Sequence, residues 1–338
     1  MTWSIREGDV LDRLREMPDE SVQCCVTSPP YWGLRDYGHA GQIGLEPTPS
    51  AFVTRLVEVF AEVHRVLRDD GTLWLNLGDS YAANQSNNGG YSDKSTLAGF
   101  SSPNTKGRIA NESGLRRSLT HGVKPKDLVG IPWMVAFALR DYGWYLRSEI
   151  IWHKPNPMPE SVTDRPTKAH EYVFLLSKSA RYFYDAEAIR EEAEYGRRSA
   201  FRGGAYVNQP RGQNNGRANA ESPSVTGSDP SSGRNARTVW TINPQPTPEA
   251  HFATFPEALA ERCIKAGSRP GDTVLDPFAG SGTTLLVAER LGRDSLGIEL
   301  NPEYIAIAER RIKAHDPTAT IELAPGVKQA SLFTGDMP

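Results

Sequence analysis

The sequence of 338 residues is poor in cysteine, has no long apolar run and carries little net charge. Its three cysteines, Cys24, Cys25 and Cys263, form no C-x-x-C pair, which argues against a zinc site and fits a reducing compartment. No apolar stretch approaches the ~20 residues that a membrane-spanning helix needs, and the opening MTWSIREGDV lacks the pattern of a signal peptide. A formal net charge of -3 means that any binding to nucleic acid must use local basic patches. We therefore expect a cytoplasmic protein with no membrane segment and no bound metal.

What the sequence does contain is an alternation of strand and helix patterns. Apolar or alternating segments predict strands at 3–9, 21–27, 72–77, 148–153, 171–177, 273–276 and 295–300. Amphipathic spacing predicts helices at 10–17, 49–67, 128–141, 255–267, 283–291 and 302–314. Such alternation is typical of an α/β fold with a doubly wound, mostly parallel sheet. No helical pattern separates 148–153 from 171–177, so we expect these strands to form an antiparallel hairpin at one sheet edge.

Two segments fall outside this alternation, at 83–124 and 196–238. Both are rich in Asn, Ser and Gly, a composition that cannot bury a core. One interpretation is a pair of disordered surface loops, and the other is a pair of basic arms that become ordered on a phosphate backbone. Because two such basic segments occur in a mildly acidic chain, we favour the basic arms. The candidate contacts are Lys106, Arg108, Arg197, Arg198, Arg202, Arg211 and Arg217.

A glycine-rich corner, TVLDPFAGSGTT, joins a short apolar strand to a predicted helix. The strand ends at Asp276, and Gly280 and Gly282 allow the backbone to approach a ligand beside the free N–H groups of the helix start. Glu299 ends the following strand, where an acidic side chain meets ribose hydroxyls in nucleotide-binding folds. The spacing departs from the G-x-G-x-x-G of dinucleotide sites, which favours a nucleoside ligand with little or no phosphate. A purely structural turn is the alternative.

A second corner, TSPPYW, follows an apolar strand and consists of Ser28, the rigid pair Pro29 and Pro30, and then two aromatic residues. Together with DPFAGSGTT, this corner resembles the S-adenosylmethionine-dependent amino-methyltransferases of DNA, which methylate N4 of cytosine or N6 of adenine. In that family a (D/N/S)-P-P-(Y/F/W) catalytic corner is paired with an F-x-G-x-G cofactor corner. The catalytic corner comes first in this chain, which is similar to the β class and implies a Rossmann-like sheet in circularly permuted order.

Three further segments are similar to parts of this family. REGD resembles the strand end whose aspartate contacts the cofactor's adenine, which implies that role for Asp9, with a helix cap as the alternative. The segment 150–179 resembles the stretch after the target-base pocket, and HFATFPEAL resembles the segment beside the methionine part of the cofactor. Helix capping is likewise the alternative for Thr283. The resemblance implies S-adenosyl-L-methionine as the cofactor, with contacts from Asp9, Phe252, Asp276, Phe278, Gly280, Gly282, Thr283 and Glu299.

The resemblance also implies how the catalytic corner works. The exocyclic amine of a base is a poor nucleophile, because its lone pair is delocalised into the ring, so acceptors must hold its hydrogens. The Ser28 hydroxyl and the Pro29 carbonyl are the implied acceptors. Pro30 helps to keep the corner rigid, Tyr31 stacks on a base rotated out of the duplex, and Trp32 packs behind as a wall. No partner that would make Ser28 a base is evident, and the proton is expected to leave to water.

The first residue of the catalytic corner bears on the target base. Serine there resembles the N4-cytosine branch, whereas aspartate is usual in the N6-adenine branch. We therefore favour N4 of cytosine in double-stranded DNA and keep N6 of adenine as the alternative. Methylation of a glutamine amide in protein agrees less well with two basic segments, and a catalytically silent DNA-binding regulator agrees less well with an intact cofactor corner. The expected setting is restriction-modification in a bacterium or phage, in the cytoplasm and near the nucleoid.

The expected organisation is a methyltransferase domain interrupted by polar segments. Its parts are a catalytic half at 1–82 and 125–184, a basic insertion at 83–124, a target-recognition region at 185–248, a cofactor-binding half at 249–316 and an unpacked C-terminal tail at 317–338. In the tail, Gln329–Phe333 (QASLF) resembles the pentapeptide with which bacterial proteins bind the replication sliding clamp. A tail that folds back on this protein's own surface is the alternative.

Overall fold

A computed structural model describes most of the chain, over residues 2–34, 36, 38–39, 41–82, 123–124, 126–192, 233–245, 256–316 and, for the backbone, 321–323. Several residues with predicted functions lie outside these ranges, namely Lys106, Arg108, Arg197, Arg198, Arg202, Arg211, Arg217, Phe252 and Gln329–Phe333.

The chain divides into two units, one made of Met1–Tyr184 with Thr238–Pro338 and the other of Asp185–Arg237. Within the second unit, Glu187–Ile189 forms a short 3-10 helix. Glu191 and Arg234 exchange backbone hydrogen bonds of 2.9 and 2.8 Å in the same unit.

In the described part of the first unit, the strands form one nine-stranded sheet. Its strands are β1 (Trp3–Glu7), β2 (Val22–Thr27), β3 (Leu67–Leu77), β4 (Tyr145–His153), β5 (His170–Ser177), β6 (Val239–Thr241), β7 (Thr273–Asp276), β8 (Asp294–Glu299) and β9 (Ile321–Leu323). Their order across the sheet is β6-β4-β5-β3-β2-β7-β8-β1-β9. Strand β5 is antiparallel to its neighbours β3 and β4, and the other adjacent pairs are parallel. The predicted doubly wound, mostly parallel α/β sheet is confirmed.

Helices connect most of the parallel strands. They are α1 (Val10–Arg15), α2 (Pro49–Val66), α3 (Ile131–Tyr142), α4 (Glu257–Gly267), α5 (Thr283–Arg290) and α6 (Pro302–His315). Helix α2 shows why a helix begins where it does. Pro49 suits a first helical turn, and the Thr48 hydroxyl accepts a hydrogen bond of 3.1 Å from the N–H of Ala51. Within the described ranges, no helix is long and apolar enough to cross a membrane.

Buried side chains hold these elements together, and two of their clusters lie beneath α2 and beneath α5 and α6. The larger one joins the apolar stripe of α2 to the sheet, and Phe52, Leu56 and Phe60 are fully buried in it. The smaller one packs α5 and α6 on β1 through residues such as Trp3 and Ile312. The cysteines of β2 are buried, as expected for core residues.

Two short strands were not predicted. Strand β6 pairs with β4, so the expected antiparallel hairpin of β4 and β5 lies one strand in from the sheet edge. Strand β9 pairs with β1, so the prediction that residues 317–338 form an unpacked tail is wrong for 321–323. Each of these strands has three residues, too few for a periodic pattern to be recognised, and each depends on a partner strand that is distant in sequence.

Several element boundaries also differ from prediction, and two of these differences have a clear local cause. Strand β3 begins at Leu67 and not at residue 72, because Leu67 pairs with Val22 before a register shift in the ladder. Helix α3 begins at Ile131 and not at residue 128, because Gly130 has a φ of 83° and the Asp79 carboxylate accepts hydrogen bonds from the N–H groups of Gly130 and Ile131, at 3.0 and 3.2 Å.

The parallel strands bring the predicted functional corners to one edge of the sheet. Thr27, Asp276 and Glu299 are the last residues of β2, β7 and β8, which are consecutive in the sheet. Ligands of open α/β sheets bind outside this carboxyl edge.

Candidate active site

Thr27 and Asp276 join the catalytic corner to the cofactor corner. The Thr27 hydroxyl donates a hydrogen bond of 2.7 Å to Oδ1 of Asp276, and the Thr284 hydroxyl donates one of 2.7 Å to Oδ2. The backbone N–H of Phe278 also donates to Oδ1, over 3.1 Å. Ser28 follows Thr27 directly, so this carboxylate links Ser28 to the turn after β7.

Asp276 lies deep in the protein, with 1% of its surface exposed. Burial raises the pKa of its carboxyl group to about 6, although the hydrogen bonds from Thr27, Thr284 and Phe278 act in the opposite direction. Both oxygens are already bonded within the protein. This geometry gives Asp276 a structural position between the two corners, and its predicted contact with the cofactor stays a prediction.

The two glycines of the cofactor turn differ in their surroundings. Both have left-handed backbone angles, with φ of 52° at Gly280 and 77° at Gly282. A side chain at Gly282 would place its Cβ 2.7 Å from Cβ of Ala308, so this glycine allows α5 to pack on α6. Among the described residues, a Cβ at Gly280 would meet only the carbonyl oxygen of Phe278, at 4.0 Å. Gly280 is therefore the one with open space beside its backbone.

Glu299 closes the cofactor turn from the neighbouring strand. Its Oε2 accepts a hydrogen bond of 2.8 Å from the N–H of Gly280, and its Oε1 accepts one of 2.8 Å from Asn301. Burial raises the pKa of Glu299 above its ordinary value. Each oxygen retains lone pairs that can accept a further hydrogen bond.

Asp9 lies at the end of β1, beside the end of β8. Its carboxylate caps α1 by accepting hydrogen bonds from the N–H groups of Leu11 and Asp12, at 2.9 and 3.3 Å. Its Oδ2 lies 3.7 Å from the guanidinium of Arg55. The backbone N–H of Gly8 donates to the carbonyl of Glu299 over 3.0 Å, which holds the two strand ends together. The capping alternative is thus observed, and the predicted adenine contact remains untested.

Arg311 of α6 supports the cofactor turn from behind, which the sequence did not indicate. Its guanidinium donates to the carbonyl and hydroxyl of Ser281, at 2.8 and 3.0 Å, and to the hydroxyl of Thr283, at 3.1 Å. It also pairs with Glu257 of α4 at 3.3 Å. Thr283 was predicted to contact the cofactor, and in this structure its hydroxyl faces Arg311.

Two residues of the predicted catalytic corner, Pro29 and Trp32, are buried in the protein. Pro29 is buried and Ser28 is partly exposed. Trp32 is 7% exposed and its indole N–H donates to the carbonyl of Glu46 over 2.9 Å, so it packs into the core, and its role as a wall of the base pocket stays a prediction. Phe278 packs partly buried against the same core.

Tyr31 points its hydroxyl into a polar cluster. The phenol donates a hydrogen bond of 2.6 Å to Oε2 of Glu171, and its ring lies so close to Gly78 that a Cβ there would be 2.5 Å from a ring carbon. Burial raises the pKa of Tyr31 well above its ordinary value, and the charge of Glu171 adds to this effect. The phenol therefore stays protonated at neutral pH.

Glu171 is the second residue that the sequence did not indicate. It lies at the start of β5, where the antiparallel direction of that strand brings it to the carboxyl edge of the sheet. Its carboxylate also accepts a hydrogen bond of 3.1 Å from the Asn76 amide and pairs with Lys154. In the sequence, the only feature that could have indicated Glu171 is that it is an acidic residue at the start of an otherwise apolar strand.

The turn at 276–282 fits a nucleoside cofactor. Gly280 leaves its backbone open, Glu299 offers carboxylate oxygens beside it, and Asp9 lies two residues after the end of the next strand of the sheet, β1. A doubly wound sheet with such a turn, next to a Ser-Pro-Pro-Tyr corner, defines a class of nucleoside-dependent group-transfer enzymes.

Comparison with known proteins gives the family. Residues 22–310 match the model of the family described as DNA methylase (N6_N4_Mtase). The chain is 48% identical to the Type II methyltransferase M.Cfr9I of Citrobacter freundii over 94% of its length and 90% of that protein. It is 46% identical to M.SmaI of Serratia marcescens over 90% of the chain and 89% of that protein.

Solved structures agree with this result. A putative DNA modification methylase of Thermus thermophilus, complexed with S-adenosyl-L-methionine, is 25% identical, with a TM-score of 0.57 over 96% of this chain and 100% of that one. The fold also matches the PvuII DNA methyltransferase (cytosine-N4-specific), with a TM-score of 0.59 and 20% identity over 92% and 86% of the two chains.

The chain belongs to the DNA methylase family of S-adenosylmethionine-dependent amino-methyltransferases. The predictions of this family and of S-adenosyl-L-methionine as the cofactor are confirmed. It is a Type II DNA methyltransferase of the N4/N6 group, and its substrate is DNA.

Proposed function

We propose that this protein methylates the exocyclic N4 amine of a cytosine in double-stranded DNA. The proposal rests above all on the short link between Ser28 and the cofactor turn through Thr27 and Asp276. A serine at the head of the corner presents a neutral hydroxyl to the amine. N6 of adenine requires nearly the same chemistry and is the other outcome of the experiment below.

The cofactor turn holds S-adenosyl-L-methionine, which supplies an activated methyl group on sulfur. In our proposal the Glu299 carboxylate accepts hydrogen bonds from the ribose hydroxyls, and the open backbone at Gly280 allows the nucleoside to approach. Asp9 reaches the adenine end from the neighbouring strand, and Phe278 contacts the cofactor from the turn.

The catalytic corner aligns the target amine. The Ser28 hydroxyl and the Pro29 carbonyl accept the two amine hydrogens, which aims the nitrogen lone pair at the methyl group and stabilises the positive charge that develops on nitrogen. The two prolines restrict the backbone and hold these acceptors still. Tyr31 offers a ring face on which the extruded base stacks, while its hydroxyl is held by Glu171.

The proposed activity is tested by expressing the chain in cells that lack DNA methylation. Nucleosides from the DNA are analysed by mass spectrometry, and modified positions are mapped at single-base resolution. We expect N4-methylcytosine at one defined sequence context, and its loss in Ser28→Ala. N6-methyladenine would overturn the choice of cytosine, and unmodified DNA with a folded, cofactor-binding protein would overturn the activity.

We further propose that the basic segments contact the DNA backbone, with 185–248 as the target-recognition region. Replacing Arg197 and Arg198 by Gln should weaken DNA binding and lower its salt dependence by a slope of about 1 per lost phosphate contact. The control replaces Arg15 and Arg140, which lie in the last turns of α1 and α3 and are exposed. Equal salt dependence in the two variants would contradict this proposal.

A further inference from the structure

Ser28, Tyr31 and Glu171 form a chain of polar contacts from the catalytic corner to a carboxylate. Oγ of Ser28 lies 3.5 Å from the Tyr31 hydroxyl, which donates a bond of 2.6 Å to Glu171. The first contact is longer than an ordinary hydrogen bond between hydroxyls. Catalytic hydrogen bonds are often long until the substrate binds and then shorten.

The Glu171 carboxylate determines which group donates and which accepts in these contacts. An ionised carboxylate only accepts hydrogen bonds, so the phenol must donate its single proton to Glu171. The phenol oxygen can then accept from Ser28, as the contact between them allows. With its proton turned toward Tyr31, Ser28 presents lone pairs to the amine, which is the orientation that methyl transfer needs.

Two neighbours keep Glu171 in place. Lys154 pairs with its Oε1, and the Asn76 amide donates to its Oε2 over 3.1 Å. Asn76 is itself oriented, because its amide also donates to the carbonyl of Tyr172 over 3.1 Å. Its own oxygen then lies 3.3 Å from the Tyr31 hydroxyl, as a second acceptor for the same proton. Glu171 is therefore held by three partners, Lys154, Asn76 and Tyr31.

We propose that Glu171 is a positioning residue for methyl transfer, which directs the Ser28 hydroxyl through Tyr31 and receives the proton released from the methylated amine. This inference rests on the proposed function. When the N–CH₃ bond has formed and the bond from sulfur to the methyl group has broken, the nitrogen carries a positive charge and a surplus proton. That proton passes to Oγ of Ser28, the serine proton to Tyr31, and the phenol proton to Oε2 of Glu171, which later releases it to solvent.

Basic groups interact with Glu171 from several elements of the fold. Lys154 contacts it from the end of β4, and Lys168 and His170 interact with it from the preceding loop and from the start of β5. Tyr31 is the titratable group that faces it from the catalytic corner. The ion pair with Lys154 is the shortest contact that Glu171 makes with a basic group.

The test compares Glu171→Gln with the wild type in single-turnover methylation of DNA, with cofactor and DNA affinities measured in parallel. We expect the rate to fall about 100-fold with both affinities almost unchanged. The rates of wild type and variant should also differ in their dependence on pH, because the variant lacks the proposed proton acceptor. Glu149→Gln, an exposed carboxylate on β4, is the control and should behave as wild type. A fast Glu171→Gln enzyme with the wild-type pH profile would overturn the inference.

A second variant covers the case in which Glu171→Gln does not fold. Tyr31→Phe keeps the ring but removes the hydroxyl, so it should reproduce the same loss of rate and the same change in pH dependence. The double variant should be no slower than either single one, because both changes interrupt one chain. Additive losses would overturn the inference. An inactive wild type would instead count against the proposed function, so the two failures are distinguishable.

Discussion

The Thr27 hydroxyl and Oδ1 of Asp276 are 2.7 Å apart, although 249 positions separate the two residues in the chain. They lie at the ends of β2 and β7, which are adjacent in the sheet. This contact places the catalytic corner beside the cofactor turn without using either Ser28 or the glycines. The relative position of the two corners therefore depends on a carboxylate that is itself shielded from solvent.

The first prediction concerns Asp276→Asn and the pH dependence of stability. The pKa of Asp276 in the folded chain, about 6, lies above its ordinary value of 3.8. The folded state therefore holds the proton more tightly, so this group stabilises the fold most at low pH and loses that contribution as pH rises through 6. At about 1.4 kcal/mol per pKa unit the loss is at most about 3 kcal/mol.

Asparagine can satisfy the same partners, because its oxygen can accept from Thr27 and Phe278 while its amide donates to Thr284. We expect Asp276→Asn to unfold at an equal or higher temperature at pH 8, and to lose the decline in stability between pH 4 and 6. Thermal unfolding across this pH range checks both points. A variant that keeps the decline would show that another group causes it, and a variant that loses cofactor binding alone would make Asp276 a cofactor ligand.

The second prediction separates the two glycines of the turn. Gly282→Ala combines a left-handed backbone with a clash against Ala308 and should destabilise the fold by about 2–4 kcal/mol. Gly280→Ala has only the backbone strain, about 1–2 kcal/mol, but puts a methyl group into the space beside the turn. We expect the larger fall in unfolding temperature for Gly282→Ala and the larger loss of cofactor affinity, relative to stability, for Gly280→Ala. The reverse order in calorimetry would contradict this assignment.

Both corners and most of the sheet could be predicted because local patterns determine them. The apolar run of β2 ends where two prolines prevent its continuation, and the glycines after β7 allow a turn that other residues adopt only with strain. Strands β6 and β9 could not be predicted, since three residues carry no periodic signal and their pairing depends on strands far away in the sequence.

The supporting residues of the site were missed for a similar reason. Glu171 meets Tyr31 across 140 positions, and Arg311 meets Ser281 across 30. Spacing along the chain carries no information about such contacts before the strand order is known. Glu171 in particular lies in a strand whose apolar pattern indicates core, and only the antiparallel direction of β5 brings it to the catalytic edge.

The third prediction concerns Glu299→Gln and cofactor affinity. If Glu299 accepts hydrogen bonds from the ribose, loss of its charge should weaken cofactor binding about 10-fold to 100-fold, the range for hydrogen bonds to a charged group. One amide N–H of glutamine would also face the N–H of Gly280 or Asn301, both of which now donate to Glu299. Isothermal titration with the cofactor checks this, and Glu303→Gln, an exposed carboxylate in the first turn of α6, is the control. Equal affinity in both variants would remove Glu299 from the cofactor site.

The last prediction concerns Arg311, which holds the cofactor turn through three donor contacts of one guanidinium nitrogen. Arginine uses one nitrogen for Ser281 and Thr283 and the other for Glu257, whereas lysine has a single nitrogen and cannot reach the turn and Glu257 at the same time. We expect Arg311→Lys to lower stability by about 1–2 kcal/mol and to weaken cofactor binding, because a looser turn must be ordered when the cofactor binds. Thermal unfolding and titration of the cofactor measure the two effects, with Arg310→Lys, an exposed neighbour, as the control. Lower stability with unchanged cofactor affinity would limit Arg311 to holding α6 and α4 together.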